Sequence, residues 1–284
     1  MTAVATPVAV VIAARNEAAT IYETLDALAG QDHRGHVHVV VGANGCTDAT
    51  AAEVVRAQRS LATERFTIEL VELQEPGKSR ALNAADRRIR IECPRIYLDA
   101  DVLLSSNALA ALVRAVNGSE PRIAAPRKVL RRGRSWFVDF CSRAWLRLPW
   151  VQDDVLGGGV LAVSATGRMR WQEFPEVIAD DGYVAWQFAP SERIVVLECT
   201  AAIRFPNTVR DMLRAHRRWI DGGVQLAESA HRPPFGPSWS GKMRLSAMWR
   251  SPTVFLAAVV VRCVRTAARL LVRGNATTSW ATPR

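Results

Sequence analysis

The chain has no paired or clustered cysteines. Its five, Cys46, Cys93, Cys141, Cys199 and Cys263, are odd in number and scattered, which excludes a disulfide framework and a Cys-x-x-Cys metal site and points to a reducing compartment. Histidine is equally sparse. None of His33, His36, His38, His216 and His231 stands at metal-ligand spacing from a cysteine or carboxylate. There is no Gly-x-Ser-x-Gly elbow and no Walker loop, which removes hydrolase and P-loop ATPase chemistry. The amino terminus has neither the basic start nor the long apolar stretch of a signal peptide, because Arg15 and Asn16 interrupt the first apolar run; the expectation is a cytoplasmic protein.

Hydrophobic residues fill 49% of the 284 positions and charged residues 23%, ample for one large α/β core or two small ones. The net charge of +10 is one-sided. Residues 201–284 carry 14 Lys and Arg against Asp211, Asp221 and Glu228, a net of +11, so residues 1–200, with 23 basic and 24 acidic side chains, sum to −1. A basic end on a neutral body predicts an anionic partner for that end, a membrane surface or a polyphosphate.

Short β-rich runs alternate with helical stretches over the first hundred residues. Val8–Ala14, 37–42, Phe66–Leu73 and 96–98 read as strands, and 18–28, 49–59 and 79–89 as helices, a succession that implies βαβ units and a mostly parallel sheet flanked by helices. Ala108–Val116 is a further helix, residues 123–150 blur, and 160–164 and 193–198 read as strands. Residues 182–188 and 210–225 read as helices, and 232–241, rich in proline, glycine and serine, as a loop.

Four polar turns recur in order: Ala14-Arg15-Asn16-Glu17, Asn44-Gly45-Cys46-Thr47-Asp48, Gly77-Lys78-Ser79-Arg80-Ala81-Leu82-Asn83, and Asp99-Ala100-Asp101. Gly, Asn and Asp are ordinary turn residues, yet all four turns fall at strand ends along one sheet edge, where open α/β sheets bind ligands. Two carboxylates there suit a hard cation, Mg²⁺ or Mn²⁺, which takes one or two carboxylates together with substrate phosphates. Asp180-Asp181 reads either as first-turn acids favoured by a helix dipole or as a pair whose crowding pushes one pKa towards that of a general base. Gly157-Gly158-Gly159 is either a close approach of backbone to a ligand or a turn before a strand. Arg217-Arg218-Trp219 puts a cation and an aromatic face on a basic helix.

In this order the motifs resemble those of the family-2 glycosyltransferases of the GT-A fold, over roughly residues 7–225. The strand running into Asn16-Glu17, the Asn-Gly-Cys-Thr-Asp turn, Gly-Lys-x-x-Ala-Leu-Asn at 77–83 and Asp-x-Asp at 99–101 carry the resemblance. It implies that Ala14, Arg15, Glu17, Asn44 and Lys78 lie around a nucleotide-sugar donor and that Asp99 and Asp101 hold its metal and ribose. Many members have a carboxylate where Asn44 stands. It implies further that Asp181 is the catalytic base, with Asp180 beside it, and that Gly157, Gly158 and Gly159 border the acceptor. Arg218 and Trp219 match the end of a Gln-x-x-Arg-Trp signature whose Gln position is Ala215 here, which implies a single-sugar transfer rather than polymer synthesis. The expected activity is inverting, metal-dependent glycosyl transfer to a glycan or lipid-linked acceptor, with no nucleic-acid partner. A nucleotidyltransferase, betrayed by pyrophosphate release, and a non-catalytic nucleic-acid-binding protein, whose binding would survive loss of Asp99 and Asp101, are the alternatives.

Residues 253–272 are apolar enough for a membrane segment but contain Arg262, Arg265 and Arg269, with Arg273 beyond. Each central arginine costs about 2.5–3.5 kcal/mol on insertion, which disfavours spanning. At about 100° per residue the four arginines form a stripe about 80° wide, opposite Phe255, Leu256, Val259, Val260, Val264, Leu270 and Leu271. That pattern predicts a helix resting on anionic lipid, extended by Lys242, Arg244 and Arg250 with Trp239, Met243 and Trp249 interleaved; packing on the catalytic domain is the alternative. Residues 1–231 are therefore expected to form the catalytic domain and 232–284 a linker and membrane-associating segment on the inner face of the cell membrane.

Overall fold

The structure, a computed structural model, describes residues 6–89, 92–131, 133 and 135–272. Its elements are β1 (Val8–Ala14), α1 (Ile21–Ala29), β2 (Val37–Asn44), α2 (Thr50–Leu61), β3 (Phe66–Leu73), α3 (Lys78–Asp86), β4 (Arg95–Asp99), β5 (Leu103–Leu104), α4 (Ala108–Val116) and β6 (Ile123–Leu130). There follow α5 (Trp136–Leu146), α6 (Pro149–Gln152), β7 (Val160–Val163), α7 (Ala165–Arg168), α8 (Asp180–Ala185), β8 (Arg193–Ile203), α9 (Val209–Glu228), α10 (Gly241–Arg250) and α11 (Pro252–Leu271).

The eight strands form one sheet in the order β3-β2-β1-β4-β7-β6-β8-β5. β3, β2, β1 and β4 are parallel, so the turns after β1, β2 and β4 meet at one edge. β7 runs antiparallel to both β4 and β6, which makes the other half mixed and brings Gly159 back beside Asp99, whose N–H donates to the Gly159 carbonyl at 2.8 Å.

Both sheet faces are covered, and β1 shows why its sequence is apolar throughout. Val8, Val10 and Ile12 pack into a core with α1, α2 and α4, whereas Ala9, Val11 and Ala13 pack into a second core with α3 and α8. A strand buried on both faces reads as a continuous apolar run rather than an alternation. The blurred stretch resolves into β6, α5 and α6. Pro126, which has no N–H to give a ladder, sits where β6 slips register against β8.

α11 is not detached from the domain. Ala257, Val261, Val264 and Ala268 are its buried side, packed against α5 and α9, and Ala257 and Val261 share a small core with Ala144, Leu148 and Val151. Val264, placed with the outward apolar set by the sequence pattern, thus faces inward, because small residues on that side let the helices approach closely. Arg217 on α9 donates to the carbonyls of Arg269 and Val272 at 3.4 and 3.3 Å. Among the described residues no helix is long and apolar enough to cross a membrane. Arg273, the last of the arginine stripe, lies outside the described residues.

Candidate active site

The polar turns at the sheet edge are laced to one another. Asn16 takes positive φ (56°), and its side-chain oxygen accepts from Thr47 N–H at 2.8 Å. Glu17 N–H donates to the Thr50 hydroxyl at 2.8 Å, and Ala18 N–H donates to Asp48 at 3.1 Å. Glu17 accepts from the Thr20 hydroxyl at 2.7 Å. Asn44, expected beside the nucleotide, is fully buried. Its amide nitrogen donates to the Ala14 carbonyl and its oxygen accepts from Gly77 N–H, each at 2.9 Å. It therefore ties the ends of β1 and β2 to the start of α3. Arg15, just past β1, has its Nε and one terminal nitrogen buried without a partner. Buried donors left unmade are costly, so this guanidinium fits a site that an anionic ligand completes.

Lys78, at the start of α3, joins the two acid pairs. Its ammonium is 3.0 Å from Asp99 and 2.9 Å from Asp180. Burial disfavours the charged ammonium, but the two carboxylates outweigh it and hold the lysine pKa well above its usual value. Asp180 is pushed up to about 6, chiefly by burial, with Asp181 and Asp99 adding and Lys78 opposing. Asp181 is raised as well, again chiefly by burial, against the pull of Lys78 and of hydrogen bonds from the Gly182 and Gly157 backbones. The Gly182 N–H donates to Asp181 at 2.8 Å. An acid lifted in this way holds a proton more readily, as proton abstraction near neutral pH requires.

The glycine loop closes on both pairs. Gly157 and Gly159 adopt φ of 79° and 63°. A Cβ on Gly159 would lie 2.8 Å from Asp99 Oδ2 and from Val102, so only glycine lets the loop lie against the carboxylate. Asp101 is buried beside it. Among the described residues no group of three or more His, Cys, Asp or Glu side chains is arranged to hold a metal alone. A cation at Asp99 and Asp101 would need oxygens from the donor phosphates to complete its shell, which suits Mg²⁺ or Mn²⁺.

Sequence reasoning missed the supporting roles of three residues. Lys128, on the apolar strand β6, is 1% exposed and donates to the carbonyls of Val151 at 2.7 Å and Asp154 at 2.5 Å. Its stem lies beneath Gly158, and burial brings its pKa down to about 8. It pins the segment that leads into the glycine loop. Asn83, the last residue of the third motif, exchanges two hydrogen bonds with the backbone of Phe174, at 2.9 and 2.7 Å, and so anchors the chain approaching Asp180. Trp145 lies against Gly157 and stacks on Trp219, with ring centroids 6.2 Å apart. Trp219 itself is 42% exposed, near Phe205 and His216. The lone lysine within β6 and the place of Asn83 in the third motif were the sequence signals for these, but their partners lie 23 to 91 residues away in the chain.

The family model described as "Glycosyltransferase like family 2" matches residues 5–173, more than half of the chain. A mannosyltransferase, PcManGT from Pyrobaculum calidifontis, solved with GDP-Man and Mn²⁺, is 22% identical, with a TM-score of 0.61 over 95% of this chain and 81% of that one. S. aureus TarS 1–349 solved with UDP-GlcNAc is 17% identical, with a TM-score of 0.53 over 94% and 84% of the two chains. In complex with UDP the corresponding values are 14%, 0.52, 93% and 91%. These likenesses establish a shared fold. A comparison with curated protein sequences finds no match.

Proposed function

The chain belongs to glycosyltransferase-like family 2 and is a glycosyltransferase; we propose that it moves one sugar, with inversion, from a nucleoside-diphosphate donor to an acceptor hydroxyl. The observation that carries this reading is Lys78 bridging Asp99 and Asp180, which unites a donor-side carboxylate with the acid pair in one cluster. Asp181 takes the acceptor proton as the acceptor oxygen attacks the anomeric carbon. The bond to the diphosphate breaks on the opposite face, and the nucleoside diphosphate leaves with the electron pair. Attack and departure on opposite faces give inversion. Asp180, held by Lys78, keeps negative charge beside Asp181 and so favours its taking the proton. Lys78 and Arg218 place positive charge where the leaving group gains negative charge, usually the largest single catalytic contribution. Asp99 and Asp101 would hold Mg²⁺ or Mn²⁺, which when bound neutralises diphosphate charge. The complexes of PcManGT with GDP-Man and Mn²⁺ and of TarS with UDP-GlcNAc support a nucleotide-sugar donor and a metal.

On the acceptor side, the Gly157–Gly159 loop and the stacked Trp145 and Trp219 offer backbone and aromatic faces suited to a sugar ring. The basic carboxyl-terminal helices favour a glycan or lipid-linked acceptor presented at the inner, anionic face of the cell membrane. A nucleotide-release screen tests the reaction. Purified protein is incubated with a panel of guanosine and uridine sugar nucleotides and Mn²⁺ or Mg²⁺. Metal-dependent release of a nucleoside diphosphate from one donor, lost in Asp101→Ala, is expected. Release of pyrophosphate instead, or neither release nor a thermal shift with any donor, overturns the proposal.

A further inference from the structure

α11 has three faces rather than two. Its inward face is complete, because Ala257, Val261, Val264 and Ala268 are buried on the domain. Roughly 150° around the helix, Phe255, Leu256, Val259 and Leu270 are exposed, Leu256 at 63% and Leu270 at 72%. Arg262, Arg265 and Arg269 run along one flank between the two faces. α10 packs on α11 and adds exposed Met243, Leu245 and Trp249, the last 83% exposed, together with exposed Lys242 and Arg250. A helix already docked by small residues has no structural need for large apolar groups on its outer side, and such exposed patches mark interaction sites.

We infer that α10 and α11 form a docking surface for an anionic phospholipid bilayer. An interfacial helix sinks its apolar side chains to the boundary of headgroups and acyl chains while its basic residues meet anionic headgroups. The outward leucines, Phe255 and Trp249 supply the first part, and the flanking arginines, with Lys242 and Arg250, the second. Arginine stems can lie along the apolar boundary with the guanidinium in the headgroup layer. A second copy of the chain is a poorer occupant, because a two-fold contact sets the same patch on itself and would bring these cations against their own kind. The proposal rests on the glycosyl-transfer reading only in that docking would present a lipid-carried acceptor to the enzyme.

Flotation of the full chain with vesicles tests it. The protein is expected to float with vesicles rich in phosphatidylglycerol and to stay behind with pure phosphatidylcholine. The double variant Leu256→Ser/Leu270→Ser should lower partitioning by at least about tenfold, given the apolar burial it removes. Arg262→Gln should lower it about fivefold, on anionic vesicles only. Both leucines are exposed and distant in sequence from the motifs, so the serine variant should fold and should hydrolyse donor in vesicle-free solution at the wild-type rate. Failure to float on anionic vesicles overturns the inference, as does equal flotation of the serine variant. A dimer seen by sedimentation, lost in that variant and accompanied by no vesicle binding, would replace it with self-association. A chain that floats as expected but releases no nucleotide from any donor leaves the docking surface standing and refutes the glycosyl-transfer reading alone.

Discussion

At the sheet edge, charged groups are few, enclosed and shared: Lys78 between Asp99 and Asp180, and Lys128 clamped to two carbonyls beneath the glycine loop. Along α10 and α11 they are numerous and turned to solvent, with Arg262, Arg269, Lys242 and Arg250 all exposed. Removing one member of an enclosed cluster strands its partner in a medium that solvates it poorly. Removing a solvated charge costs little stability, yet weakens the field that draws an anionic partner. The two regions should thus respond to mutation in different observables, the first in turnover and stability, the second in binding alone.

Asp181→Asn should break the first region most. The variant keeps the shape of the pair but cannot take a proton, and kcat should fall by about 10²–10⁴-fold, read as nucleoside diphosphate released in the presence of acceptor. Near-normal turnover would remove Asp181 from the base role. Lys78→Met comes next. It leaves Asp99 and Asp180 without their shared cation, at a stability cost of about 3–5 kcal/mol for a fully enclosed pair and towards the lower end here because Asp99 is partly exposed. Urea unfolding measures that loss, and donor turnover should fall with it.

How much of this was legible in the sequence differs between the same two regions. β1, β3 and α4 have the bounds that their patterns predict, because a strand buried on two faces, an edge strand that alternates and a helix with one apolar stripe leave unambiguous periods. The four turns were legible as a set, since parallel strands send every carboxyl end to one edge. What Asn44 does was not, because its two partners, Ala14 and Gly77, are 30 and 33 residues away in the chain. Lys128 was hidden for a similar reason, since a lysine in an apolar strand acquires its carbonyl partners only when α6 folds over it. The faces of α11 were misassigned at Val264 because a helical wheel ranks residues by polarity. The docking side here is chosen by size, with Ala257 and Ala268 allowing close approach.

His216 lies between the regions, on α9, with its ring 4.8 Å from that of Trp219. Burial, aided by Arg265 on α11, brings its pKa down to about 4. In the unfolded chain histidine binds its proton near 6.5. Between about pH 6.5 and 4 the unfolded state therefore gains a proton that the folded state refuses, and stability falls as pH falls through that window, by about 3 kcal/mol at most. His216→Phe should lack this contribution. Unfolding free energies of the two proteins should therefore converge or cross on acidification, and parallel pH slopes would show that His216 is not buried as a neutral ring.

Gly159→Ala tests whether the loop sets Asp99. With φ at 63° and the new Cβ meeting Asp99 Oδ2 and Val102 at 2.8 Å, the variant should lose about 1–3 kcal/mol. It should also require more Mn²⁺ for half-maximal nucleotide release, a change that strain elsewhere in the fold would not produce. Unchanged metal dependence would mean that the loop does not set Asp99.

Arg262→Gln should have the smallest effect on the folded protein and gives the sharpest contrast with Lys78→Met. Its side chain is exposed, so the change in unfolding free energy should stay within about 0.5 kcal/mol, and donor hydrolysis in solution should be unchanged. Binding to anionic vesicles should nevertheless weaken, and the residual binding should fall less steeply with added salt, because one fewer cation contributes to a screened attraction. A stability loss as large as that of Lys78→Met would mean that Arg262 belongs to the packed structure. The division between an enclosed sheet edge and a solvated helical face would then fail at the residue where it is easiest to test.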